Sequence, residues 1–177
     1  NYKIYFLAEG ENLAVQYYND KWDFGAADLV NVIAGSSTSG VDAKLHPGGI
    51  FTGTVTASGT PVQAVSVSAI PVDTNGNRDY NRDQLTSQTD INGAYQIIGL
   101  SPGAYKVVFD GMAQGYQPQY YNGKSTFASA DVVIASSGVT VSGIDANLTF
   151  GSSIMGRVTD DSTPTPNPIN GVTVKAI

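Results

Sequence analysis

The sequence predicts an all-β fold: tandem antiparallel Greek-key β-sandwiches, one complete and two partial. Three observations predict it. Short β-branched and aromatic runs recur along the chain, turn-forming residues separate them, and the sequence repeats itself. The runs are Tyr2–Leu7, Ile50–Thr56, Val62–Ile70 and Ala104–Phe109. Several alternate apolar and polar residues, the period of a half-buried strand. Between them stand Ser58-Gly59-Thr60-Pro61, Asn75-Gly76, Asn92-Gly93, Ser101-Pro102-Gly103 and Ser137-Gly138. Asn-Gly and Ser-Pro-Gly supply the positive and fixed φ values that tight turns need. No stretch carries a sustained 3.6-residue apolar stripe. Only Ser125–Ala130 suggests a single helical turn. Short strands at close spacing with Gly/Pro turns point to a sandwich.

The repeat organises the chain. Shifted by 103 positions, the sequence falls on itself without a gap. Gln16-Tyr17-Tyr18-Asn19 meets Gln119-Tyr120-Tyr121-Asn122, Lys21 meets Lys124, and Phe24 meets Phe127. Ala27-Asp28 meets Ala130-Asp131, Asp42 meets Asp145, and Gly53, Val55 and Thr56 meet Gly156, Val158 and Thr159. About 22 of the 57 positions in residues 1–57 are identical to those in 104–160, far more than chance gives. Beyond Thr159 the match resumes after a four-residue insertion around Thr165–Pro168, so that Val62–Ile70 pairs with Ile169–Ile177. Residues 49–151 therefore read as one complete unit. Residues 1–48 read as the second half of a preceding unit, and 152–177 as the first strands of a following one. The two partial units together lack the equivalent of residues 71–104. The first residue, Asn1, is not Met and no signal peptide precedes it, so the chain reads as a window on a longer array.

Composition narrows the function classes. The chain has 177 residues, 20 Gly, 8 Pro, no Cys and one His, and only 14% of its residues are charged. A hydrophobic content of 41% supports a core, so wholesale disorder is not expected. The net charge of −6 argues against nucleic acid and anionic membranes, which need a basic face. Without Cys there is no disulfide framework and no thiolate metal site. No apolar run approaches the ~20 residues that span a bilayer, so no membrane insertion is expected. With one His and no Gly-x-Ser-x-Gly elbow, no Ser/His/acid set is suggested. The chain is expected not to be an enzyme.

Four groups of residues are candidate sites. Asp73, Asn75, Asn77, Asp79 and Asp83 form the densest set of oxygen ligands, and Ca²⁺ takes 6–8 oxygens. Arg78 stands where an EF-hand needs Gly, and Asp and Asn are also common turn formers, so a polar hairpin loop is the competing reading. Tyr17, Tyr18, Trp22, Tyr116, Tyr120 and Tyr121, with Phe24 and Phe127, form an aromatic contact surface. It either stacks on polysaccharide or covers one end of the sandwich and locks neighbouring units. Recurrence of the Tyr-Tyr pair favours the second role. Asn147-Leu148-Thr149 matches the N-glycosylation pattern, and Thr163 and Thr165 in the Pro-rich run are candidate O-glycan sites. His46, whose repeat partner is Thr149, reads as a surface linker residue. The paired Asp28/Asp131 and Asp42/Asp145 fit turn and strand-end hydrogen bonding better than glycoside hydrolysis.

The order Gly53-Thr-Val-Thr56, Thr60-Pro-Val62, Val65-Ser-Val67, Thr89-Asp-Ile-Asn-Gly-Ala-Tyr95, Gly99-Leu-Ser-Pro-Gly-Ala-Tyr105 and Gly115-Tyr-Gln-Pro-Gln-Tyr-Tyr-Asn122 resembles the carboxypeptidase regulatory-like domain, which is similar to Cna-B repeats. The resemblance implies a transthyretin-like (prealbumin-like) sandwich of about seven strands and a secreted or cell-surface module, usually non-catalytic. Many Cna-B domains carry a Lys–Asn isopeptide bond. Here the first strand has no Lys and Phe109 stands where the catalysing acid belongs, so none is expected in the complete unit. Lys175 is the only strand Lys that such a bond suggests. The expected function is a structural repeat of an extracellular or cell-surface stalk, sheath or filament. Its partners are copies of itself or neighbouring repeats, and head-to-tail assembly by donation of 151–177 is expected to complete the partial sandwiches. The alternative is a carbohydrate-binding or adhesion module of a secreted hydrolase.

Overall fold

The computed structural model describes residues 1–152 and 154–175. Its strands, in chain order, are β1 (Tyr2–Lys3), β2 (Tyr5–Phe6), β3 (Gln16–Tyr17), β4 (Leu29–Val30), β5 (Gly49–Ala57), β6 (Thr60–Pro61), β7 (Ser66–Pro71), β8 (Leu85–Gln88), β9 (Ala94–Leu100), β10 (Gly103–Asp110), β11 (Gln119–Tyr120), β12 (Val132–Ala135), β13 (Thr140–Val141) and β14 (Ala146–Asn147). Two short 3-10 turns, Met112–Gln114 and Tyr121–Gly123, are the helical pieces among the described residues. No described helix is long and apolar enough to cross a membrane.

Residues 49–151 fold as a β-sandwich of two sheets. In one, the order is β11–β10–β7–β8, with β12 also paired to β10. In the other, β5 is central and pairs with β9 and β6 antiparallel. The sequence predicts antiparallel pairing throughout, but β13 and β14 run parallel to β5. The unit's last segment therefore returns along its first strand. Alternate residues of β5 serve the two neighbours. Ile50 N–H donates to Val139 O, Thr52 O accepts from Ile144, and Thr56 O accepts from Leu148. Val55 N–H donates to Gly93 O, and Val55 O accepts from Val62.

Strand periodicity explains the core. Phe51 and Val55 on β5, Tyr95 and Ile97 on β9, and Tyr105, Val107 and Phe109 on β10 point into one cluster with Val65, Val67, Ile144 and Leu148. Phe51 meets Tyr105, and Tyr95 meets Phe109, edge to face at 5.8 and 6.0 Å, a favoured aromatic geometry. Buried hydroxyls are satisfied. Tyr105 donates to Ser101 O and Tyr95 to Ile144 O, at 2.8 and 2.7 Å. Burial pushes the Tyr105 phenol up to about 12. Gly53 lets the chain pass close, since a Cβ there would lie 2.2 Å from Ile144 O.

Residues 1–48 form two small antiparallel pairs, β1–β4 and β2–β3. Their registers equal those of β10–β12 and β10–β11 shifted by 103. Lys3 faces Leu29 as Lys106 faces Val132, and Phe6 faces Gln16 as Phe109 faces Gln119. The predicted single strand Tyr2–Leu7 is split at Ile4, whose carbonyl accepts from Tyr18 N–H. This piece docks on the complete unit through backbone and side-chain hydrogen bonds. Val15 N–H donates to Gly99 O, Gly99 N–H to Asn12 Oδ1, and Ser101 Oγ to Val15 O.

Beyond the unit, Ile169 N–H donates to Val158 O, and Thr159 faces Pro168. In the unit, Val62 donates to Val55 O and Thr56 faces Pro61. The hairpin is the same, and the extra residues sit in its tip. Ser153, Ala176 and Ile177 lie outside the described residues, so the end of the Ile169–Ile177 match does too.

Candidate functional site

The acidic loop joins β7 to β8. Asp73 Oδ1 accepts from the backbone N–H groups of Asn75 and Asn77, both at 2.9 Å, which turns the chain at Gly76. Asp79 accepts from Asn81 N–H and pairs with Arg82 Nε at 3.0 Å. Burial pushes the Asp79 carboxyl up, but the Asn81 N–H and the Arg82 guanidinium outweigh it and hold it below the usual carboxylate range. Asp83 lies apart, beside Tyr5. Burial and the Asp83 charge raise the Tyr5 phenol to about 12. Among the described residues, no three Asp, Glu or His side chains gather to hold a metal ion. Asn75 and Asn77 lend backbone N–H donors to this loop.

Arg82 is the post around which the loop is built. Its Nη2 donates to Val72 O at 2.8 Å and Ala104 O at 3.1 Å, and its guanidinium lies over the Tyr105 ring. Gly103 leaves room for it, since a Cβ there would be 2.1 Å from Nη1.

The aromatic residues divide into separate places. Tyr120 meets Phe127 edge-on at 6.0 Å, and Tyr17 meets Phe24 edge-on at 6.1 Å. Each pair is tied by the same turn. Tyr120 and Lys124 exchange both backbone hydrogen bonds, as do Tyr17 and Lys21. Asn122, at φ 62°, donates to Asp131 at 2.6 Å, and Asn19, at φ 64°, donates to Asp28 at 2.7 Å. Asn tolerates the left-handed region better than most residues. Ser125–Ala130, where the sequence suggests a helical turn, is a plain turn closed by Ala130 N–H to Phe127 O. Tyr116 stacks on Phe150 at 4.7 Å, at the end of the unit near Gly151. Tyr121 packs against the core, and Tyr18 reaches toward Gly40 O. Trp22 leans on His46 at 5.5 Å, and His46 pairs with Asp20 at 3.6 Å.

One buried cation escaped the sequence reading. Lys106 is 4% exposed. Its Nζ donates to the carbonyls of Phe127 at 2.8 Å and Gly76 at 3.1 Å, and sits 4.6 Å from the Phe127 ring centre. Lys3 repeats the arrangement on Phe24 O and Gly25 O. The signal available was that Tyr-Lys recurs in register with Phe. The glycan candidates are exposed: Asn147 on β14, Thr163 and Thr165 in the hairpin tip.

A cleft of about 540 Å³ lies where residues 1–48 meet the complete unit, with Trp22, Asp23, Asp73, Thr74, Asp79 and Arg82 on its walls. No family model matches this chain, and no curated protein matches it either.

Proposed function

We propose that the chain is a non-catalytic structural repeat of an extracellular or cell-surface protein, resembling carboxypeptidase regulatory-like and Cna-B modules and building a stalk, sheath or filament. One observation carries this reading. The hydrogen-bonded turn around Tyr120-Tyr121-Asn122 and the hairpin after β5 each recur at the repeat spacing. Neighbouring pieces also join through direct hydrogen bonds, Val15 N–H to Gly99 O and Gly99 N–H to Asn12 Oδ1. A chain that repeats such contacts is an array of stacked sandwiches.

The partial units favour completion by a strand of another unit. In the complete unit β10 carries β7 on its second edge. Among the described residues, β1 and β2 have no strand on that edge. The equivalent of β7 begins at Thr173, and Val174 is exposed. Shifting the β7–β10 register sets Phe6 opposite Val174 and Tyr5 opposite Lys175. A strand from a second copy added there is β-augmentation.

Negative-stain microscopy of the purified chain, with Tyr5→Cys and Lys175→Cys introduced together, tests both parts. Elongated particles and an oxidation-dependent ladder of linked chains are expected. Compact particles with neither ladder nor linkage overturn the assembly.

A further inference from the structure

We infer that the cleft between residues 1–48 and the complete unit binds a neutral sugar unit of a polysaccharide. It stands apart from the structural reading and from the recurrent Tyr pairs. The array reading survives its failure.

The first observation is what breaks the repeat. Trp22, Asp23 and His46 meet Ser125, Thr126 and Thr149 under the 103-residue shift. The turn that carries Trp22 and Asp23 keeps the Tyr–Lys and Asn–Asp hydrogen bonds of its repeat, and Thr126 Oγ1 accepts from Ser129 N–H as Asp23 Oδ1 accepts from Ala26 N–H. An indole and a carboxylate where the repeat has a serine and a threonine therefore sit where two pieces of chain form a cleft. Trp22 is the only Trp in the chain.

The second observation is the chemistry of the walls. The indole is half-exposed and braced by the His46 ring at 5.5 Å, so a flat apolar face lines the cleft in a set orientation. Tyr and Trp bind through large rigid area with little entropy lost. On the same walls, Asp73 uses Oδ1 for its own loop, and Asp23 uses Oδ1 for Ala26 N–H at 2.7 Å. Among the described residues, Oδ2 of each takes no hydrogen bond. Thr74 adds a hydroxyl. Asp79 and Arg82 neutralise each other and form a rigid floor, because Arg82 is anchored on the Val72 and Ala104 carbonyls.

A ligand for this cleft must donate hydrogen bonds to carboxylates and present an apolar face to an indole. A pyranose does both: its hydroxyls donate, and its C–H face is apolar. Unbalanced carboxylates disfavour anionic sugars, and the absence of three converging carboxylates disfavours a metal ion. The cleft is large enough for one or two sugar rings, within the usual range of ligand pockets.

Because Trp22 is the sole indole, its fluorescence reports the site directly. The whole chain is titrated with maltohexaose, cellohexaose, xylohexaose and mannohexaose. A saturable shift in Trp22 emission with at least one of them is expected. Asp73→Asn and Asp23→Asn keep one acceptor oxygen for their turns, and each should weaken binding about tenfold or more, with unchanged melting. That loss matches a hydrogen bond to a charged group. No saturable shift with any of the four overturns the proposal. So does binding that survives both Asn variants, or that is lost in Tyr120→Ala while Asp73→Asn leaves it intact.

Discussion

Residues 1–48 and the matching half of the complete unit carry the same turn and strand registers, yet they are buried very differently. Tyr105 is 1% exposed and its counterpart Tyr2 is 60% exposed. Phe109 is fully buried, whereas Phe6 is only partly so. Ala130 and Ala27, and Val133 and Val30, are buried alike. The local turn is thus self-sufficient: Asn–Asp and Tyr–Lys hydrogen bonds hold it wherever it occurs. The sandwich core is not, because β7 beside β10 and β5 and β9 in the opposite sheet supply the rest of it. Short-range hydrogen bonding sets the shape, and burial of apolar area sets how much stability that shape yields.

Breaking the aromatic contacts gives the largest expected contrast. Phe109→Ala should cost about 3–5 kcal/mol, the usual range for emptying a buried Phe site. Phe6→Ala should cost about 1 kcal/mol or less in a dilute single chain. Denaturant melts of the two variants measure this. Equal costs would show that the half unit already has a full core. A cost for Phe6→Ala that grows with protein concentration would show that another copy covers it.

The lysines give the next contrast. Lys106→Met leaves the Phe127 and Gly76 carbonyls without their buried donor, at about 2–3 kcal/mol. Lys3→Met affects a more open site and should stay within about 0.5 kcal/mol, as at most surface positions. The same melts read it, and equal losses would break the comparison.

The smallest effect concerns acid. The Asp79 pKa is depressed by the Asn81 N–H and Arg82, against the opposing effect of burial. Its contribution is therefore present above the ordinary carboxylate pKa of about 3.9 and lost as pH falls through the lower folded value. Asp79→Asn should flatten the drop in melting temperature between pH 4 and pH 2, by about the weight of one carboxylate. This loop has no counterpart in residues 1–48, so the Asp79 response belongs to the complete unit.

Much of this architecture was legible in the residues. Gly, Asn and Pro mark the turns, alternation marks the strands, and identity at a fixed shift marks the repeat. Even the insertion before Ile169 is matched by a conserved hairpin bond. What was not legible has a common cause. The Lys106 partners are backbone carbonyls, which leave no residue type to read. The parallel pairing of β13 and β14 with β5 joins residues about ninety positions apart. The cleft takes its walls from residues 22–23, 72–82 and 102–104, which only folding brings together. The oxygen-rich loop was visible, but not that Asp73 Oδ1 and Asp79 hold its turns through the N–H groups of Asn75, Asn77 and Asn81 and through Arg82.

The parallel return of β14 along β5 has a mechanical consequence. The unit enters at Gly49 and leaves just beyond Asn147, at opposite ends of two adjacent, hydrogen-bonded strands. Tension along the chain pulls those strands past each other lengthwise. The bonds from Ile50 to Val139, Ile144 to Thr52, Thr54 to Asp145 and Leu148 to Thr56 all lie across that sliding plane. They carry the load together instead of opening one at a time, as a rivet line does in a lap joint.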